Sequence, residues 1–198
     1  MAAAGGGTWH DQRVTAASTP KGERRRQALV EAAAALLTDG GFDAVRHRAV
    51  AERAGLPLAS TTYYFRSLDE LVAAAVEHSA RAELAACRAA LLDAGSDAFA
   101  ELFLDALLGP RGDFEAVLVR YERFVAAARR PWLGPLMREL RTELDTLLAD
   151  MARRFGRSAD PDELGRLVAI VDGAVISALI ESNPDPRAAA RRMLLPLL

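Results

Sequence analysis

The side chains with the greatest capacity for chemistry in this chain are hydrogen-bonding groups gathered in Arg46–Phe65, RHRAVAERAGLPLASTTYYF. Arg46, His47, Arg48 and Arg53 supply nitrogen donors, while Ser60, Thr61, Thr62, Tyr63 and Tyr64 supply hydroxyls beside the small apolar surface of Leu58 and Ala59. Groups of these types bond to phosphate oxygens and to the edges of bases, and apolar ones fit the methyl of thymine. A catalytic set does not accompany them. His10, His47 and His78 are scattered, Cys87 is the single cysteine, and neither a glycine-rich phosphate loop nor a zinc spacing occurs. An enzyme needs a nucleophile, base or metal-ligand constellation, so we expect no catalytic residues, no metal and no cofactor.

The local pattern says how these groups are held. Val50 and Ala54 lie four residues apart on one face, with Arg46, Arg48, Glu52 and Arg53 on the others, the spacing of a short amphipathic helix. Gly55 suits the position just past a helix, where the backbone takes positive φ, and Pro57 suits the first turn of the next, where a missing N–H costs nothing. A second helix is therefore predicted from near Leu58. Helix, glycine turn and helix make the shape of a DNA-reading module, and the same spacing also describes an ordinary αα-hairpin.

The flanking sequence separates these alternatives. Residues 21–77, KGERRRQALVEAAAALLTDGGFDAVRHRAVAERAGLPLASTTYYFRSLDELVAAAVE, resemble the N-terminal domain of the TetR family of transcriptional regulators. The resemblance rests on a basic start and a helix with Leu29, Ala33, Leu36 and Leu37, then Gly41-Phe42, Ala51, Ala54-Gly55, the aromatic pair before Phe65, and Ser67 to Leu71. It implies an all-α fold: a three-helix helix-turn-helix DNA-binding domain at 21–67, followed by a larger helical ligand-binding and dimerisation domain at 68–198. It also implies a regulator, most often a repressor, that binds a near-palindromic double-stranded operator as a homodimer and is released by a small-molecule effector.

Residue roles follow from the same resemblance. Arg48 matches a position from which a basic side chain reaches a base, and arginine can donate two bonds to guanine O6 and N7; a phosphate clamp is the other use of that position. Arg46 and His47 stand where hydroxyl residues often cap the helix and touch phosphate, so the cap is expected to be weak. Leu58, Ala59, Ser60 and Thr62 match base-facing positions, and Tyr63 and Tyr64 match backbone anchors. Thr61 matches a buried leucine and is assigned to the core. Leu68 replaces a phosphate-binding lysine, a role that Arg66 is placed to take over, and Arg24 and Arg25 belong to the basic start. The alternative is a helical dimeric interaction or ligand-binding protein that has lost operator binding, which Leu68 and the altered cap would favour.

Charge agrees when it is read locally. The chain carries a net charge of −2, yet residues 21–68 carry a surplus of three positive charges. A modest local excess serves phosphate contacts. Of the 198 residues, 51% are hydrophobic, much of that alanine, which favours helices almost throughout. Cys87 excludes an intramolecular disulfide and fits a reducing cytoplasm, where it reads as a small buried residue. No apolar run reaches the roughly 20 residues of a membrane span. Residues 1–20 read as a disordered arm lacking the layout of a signal peptide.

Beyond the reading head, Ser67 and Glu70 form the pattern of a capping box for a helix from Leu68 to about Asp93. Gly95 breaks the chain and Ser96 or Asp97 restarts it; Gly109-Pro110 ends that helix, another follows from Asp113, and Pro131 marks the next boundary. The family implies an effector pocket in this domain, for which Phe103, Arg120, Tyr121, Phe124 and Trp132 combine aromatic surface with polar atoms. Aromatics at helical spacing also serve as core. Two late segments carry long apolar stripes, from which Leu144, Leu147, Leu148, Leu164, Val168, Val171, Val175 and Leu179 are expected at a dimer interface. The same stripes would serve equally as internal core.

Overall fold

A computed structural model describes residues 19–110 and 112–198. The chain divides into two compact units, Met1–His78 and Ser79–Leu198. Every regular element among the described residues is helical. The expected arm at 1–20 lies outside the described residues up to residue 18, and its last two residues start the first helix instead. Thr19 caps helix α1 (Pro20–Ala44), its hydroxyl accepting from the Gly22 N–H at 3.1 Å, and Pro20 occupies the first turn.

Helix α1 bends at Gly40 and Gly41, and Gly41 has φ of 66°. Its buried face, Leu29, Val30, Ala33 and Leu37, joins Val45, Val50, Phe65, Leu71, Val72 and Ala75 in the core of the first unit. The last three come from helix α4 (Leu68–Leu92), so this core extends past the boundary expected at residue 67. Ser67 caps α4 as predicted, accepting from the Glu70 N–H at 3.1 Å. The Glu70 carboxylate reaches back one residue further than a capping box requires and accepts from the Arg66 N–H at 2.7 Å.

The second unit holds the remainder of α4 with α5 (Phe99–Leu108), α6 (Phe114–Ala128), a 3₁₀ turn (Pro131–Leu133), α7 (Gly134–Arg154), α8 (Pro161–Ile180), α9 (Pro186–Leu194) and a closing 3₁₀ turn (Leu195–Leu197). Helix α5 begins at Phe99, later than Ser96 or Asp97 would place it; those two side chains bond to each other at 3.1 Å, and Ala98 fills the cap without a side-chain acceptor. Every residue of α5 is buried except Glu101 and Asp105. A helix apolar on nearly all sides belongs at the centre of a bundle. Its two carboxylates are answered from α9: Arg187 holds Glu101 at 2.8 Å and Asp105 at 2.7 Å, and Arg191 holds Glu101 at 2.7 Å. Those hydrogen bonds from Arg187 and Arg191 keep the Glu101 carboxyl below its usual range. Cys87 is buried in this core, as expected, and burial pushes its thiol up.

The contrast within the second unit lies in α6. Over fifteen residues it buries only Val117 and Ala127 completely, and it leaves Phe124 44% and Val125 59% exposed. The helix starts from Asp113 as predicted, and that side chain caps it by accepting from the Ala116 N–H at 2.8 Å.

Candidate functional site

Helices α2 (His47–Arg53) and α3 (Leu58–Tyr64) form the predicted helix-turn-helix in the first unit. The turn between them is fixed by backbone bonds. The Gly55 N–H reaches the Glu52 carbonyl at 3.1 Å and the Leu56 N–H reaches the Ala51 carbonyl at 2.9 Å, a Schellman closure that requires the positive φ of 64° found at Gly55. Pro57 sits one residue earlier than predicted, as the cap of α3, and its carbonyl accepts from the Ser60 N–H at 2.8 Å. Arg46 caps α2 without a side-chain bond, which is the weak cap expected there.

Short as it is, α3 has two distinct sides. Thr61 is fully buried, and its hydroxyl donates to the Leu58 carbonyl at 2.8 Å, so a polar residue fills the core position without an unmet bond. Phe65 follows in the core with 2% exposure, and the Arg26 guanidinium lies 5.1 Å from its ring centroid. The other side presents Leu58, Ala59, Thr62 and Tyr63, all exposed. Ser60 and Tyr64 are half-buried at the border, and the Tyr64 ring meets Tyr63 edge to face at 4.9 Å. A helix of this length gains little from propensity alone, so packing of Thr61 and Phe65 is what holds the outer face in place.

The basic residues separate by their engagements. Arg53 pairs with Asp39 at 2.6 Å, and Arg46 donates to the Asp43 carbonyl at 3.2 Å. Arg24, Arg25, Arg48 and Arg66 are exposed, and their guanidinium groups form no ion pair among the described residues. His47 is half-buried with Nδ1 unpartnered. Leu68 packs against the first core, which makes it structural and leaves Arg66 as the exposed cation nearby in sequence.

In the second unit the expected effector residues scatter. Phe103 is wholly buried, its ring centroid 5.6 Å from that of Phe99, and belongs to the core. Trp132 lies 38% exposed in the 3₁₀ turn. Arg120, Tyr121 and Phe124 do come together on α6: the Tyr121 and Phe124 ring centroids are 5.9 Å apart and the Arg120 guanidinium lies 5.6 Å from the Phe124 ring. Sequence reasoning missed their partners on other helices. Arg120 donates to Glu83 of α4 at 2.5 Å, with Arg123 3.7 Å from the same carboxylate, and the Tyr121 hydroxyl donates to Asp172 of α8 at 2.7 Å. The signal for Asp172 was present, a single acidic residue between Val168 and Val175 in an otherwise apolar run.

The stripe expected at a dimer interface is the inward one. Leu147, Leu148, Leu164, Val168, Val171 and Val175 are buried in the core of their own unit, and Leu144 and Leu179 pack against it. Two apolar faces compete on these helices, and periodicity cannot tell which of them turns inward. The outer face of α8 exposes Gly173, Ser177, Ile176 at 43% and Ile180 at 79%. Beside it, α8 and α9 border a groove of about 390 Å³ lined in part by Gly173, Ala174, Ser177, Ala189 and Met193.

Comparison with known proteins agrees with this architecture. Residues 29–75 match the family described as bacterial regulatory proteins, tetR family, and residues 94–198 match the tetracyclin repressor-like C-terminal domain. A search of curated proteins yields no match. Among solved structures, the multidrug binding protein EbrR complexed with ethidium is 35% identical, with 88% of this chain and 98% of that one covered and a TM-score of 0.65. EbrR complexed with proflavin is 33% identical, covering 88% and 99%, with a TM-score of 0.63. A TetR family member from Streptomyces coelicolor A3, SCO1917, is 31% identical, covering 88% and 98%, with a TM-score of 0.57. No described helix is long and apolar enough to cross a membrane. With both of its domains matched and a helix-turn-helix whose second helix turns one side outward, the chain belongs to the TetR family of DNA-binding transcriptional regulators.

Proposed function

We propose that this chain is a cytoplasmic repressor that binds a near-palindromic operator as a homodimer and leaves it when a small molecule occupies the second unit. The observation that carries the reading is the division of α3: its inner side is consumed by Thr61 in the core, while Leu58, Ala59, Thr62 and Tyr63 stand outward on a unit that also presents Arg48, Arg24, Arg25 and Arg66. Arg48 with Leu58, Ala59, Ser60 and Thr62 reads bases; Arg24, Arg25, Arg46, His47, Tyr63, Tyr64 and Arg66 hold phosphates. Arg48→Ala is expected to weaken operator binding by about 1–3 kcal/mol and to relax base preference at one position of each half-site, measured by gel retardation against a panel of single-base operator variants. An unchanged preference would remove Arg48 from the reading surface.

Dimerisation is assigned to the outer face of α8 with the groove beside α9, since exposed Ile176 and Ile180 flank small Gly173 and Ser177 where a second helix can approach closely. Ile180→Arg should give a folded monomer in light scattering, with the melting temperature little changed apart from lost dimer stabilisation. A persisting dimer would exclude this face. For the effector, the EbrR complexes with ethidium and proflavin suggest flat aromatic cations, and the aromatic cluster of α6 offers surface for such molecules.

A further inference from the structure

Asp172 stands apart from the other half-buried carboxylates of the second unit. Glu83 is paired with Arg120 and Arg123, and Glu101 and Asp105 are paired with Arg187. Asp172 is half-buried beside the core residues Val168, Val171 and Val175, and it forms no ion pair among the described residues. Its partner is the Tyr121 hydroxyl at 2.7 Å. Burial and the adjacent carboxylate hold that phenol far above its ordinary range, so the group bonded to Asp172 is a neutral hydroxyl. A half-buried carboxylate held by a neutral hydroxyl can exchange that bond for a charge-assisted contact with an entering cation, which is the stronger of the two.

The approach to Asp172 is aromatic. Tyr121 touches the carboxylate, Phe124 lies edge to face with Tyr121, and Phe124 is 44% exposed, so the cluster runs from the surface toward the charge. The Phe124 ring already carries a cation, the Arg120 guanidinium at 5.6 Å. Helix α6, which bears both rings, buries only Val117 and Ala127 fully and so loses little packing if it shifts to admit a ligand.

We propose that Asp172 is the anionic anchor of the effector site, and that it selects flat aromatic monocations by taking over their charge when the Tyr121 hydroxyl gives way, with Tyr121 and Phe124 as stacking walls. This rests on the effector-sensing reading given above. The anchor is a binding residue, and charge is its contribution, so Asp172→Glu should keep the function that Asp172→Asn loses.

The test uses the purified full chain without DNA, titrated by fluorescence with ethidium and, separately, with neutral N-phenyl-1-naphthylamine, with thermal melting of each variant to show that it is folded. Asp172→Asn should lower the ratio of ethidium to naphthylamine affinity by about tenfold or more, the loss expected when a desolvated ion pair is broken, and Asp172→Glu should restore most of it. An unchanged ratio in a folded Asp172→Asn variant would overturn the assignment. Naphthylamine binding without ethidium binding by the wild type would overturn the cation preference while leaving an effector site standing. Binding of neither probe would overturn the effector-sensing reading together with it.

Discussion

Val171→Arg is expected to unfold the second unit rather than separate two subunits. Val171 is 0% exposed within its own chain, on the stripe of α8 that it shares with Val168 and Val175. An arginine there either buries a guanidinium among apolar groups or forces α8 off the core. The exposed-to-buried transfer of an unpaired charge, with the lost packing, costs on the order of 4 kcal/mol or more. That is a large share of the roughly 5–15 kcal/mol that holds a domain together. Circular dichroism melts should show loss of the second unit's transition, and limited proteolysis should cut within 79–198. Ile180→Arg is the contrasting change, because Ile180 is 79% exposed and a charge at its position stays in water. A folded, monomeric Val171→Arg protein would mean that the stripe faces outward.

The second large effect is expected at Phe65→Ala. Phe65 is 2% exposed, lies in the core with Leu29, Leu37, Val50 and Leu71, and supports the Arg26 guanidinium on its ring. Removing a buried phenylalanine costs about 3–5 kcal/mol, and losing the cation–π contact adds about 0.5–1 kcal/mol. A small core has little to spare, so the first unit should lose its cooperative melt near physiological temperature. Operator binding should fall with it, although Phe65 is not assigned to DNA. Phe65→Leu, which keeps most of the apolar volume, should retain binding at low temperature; equal loss in both variants would point to a direct role for the ring instead.

Local structure was legible in the sequence to the extent that its causes are local. Gly55 and Ser67 act through bonds to residues three to five positions away, and both behave as their types dictate. The restart expected at Ser96 or Asp97 falls at Phe99 instead, with the Ser96 hydroxyl turned to the Asp97 carboxylate rather than to the helix. Thr61 shows a different route: composition alone would put a threonine outside, and only the family resemblance placed it in the core, where its hydroxyl bond to Leu58 makes burial tolerable. Choosing between two apolar faces of α8 was beyond any periodicity, since each face is apolar and only the fold decides which enters the core of the second unit. The partners of Arg120 and Tyr121 were equally hidden, because Glu83 and Asp172 lie 37 and 51 residues away in sequence.

Operator reading by the first unit can be followed in a single titration. Fluorescence anisotropy would follow the wild-type protein on the DNA immediately upstream of its own coding sequence and on a scrambled duplex of equal length, across a series of salt concentrations. The protein should favour the upstream DNA by an affinity ratio of at least about 10³, with log affinity falling linearly with log salt at about −0.9 per phosphate neutralised. Equal affinity for both duplexes at every salt concentration would contradict it.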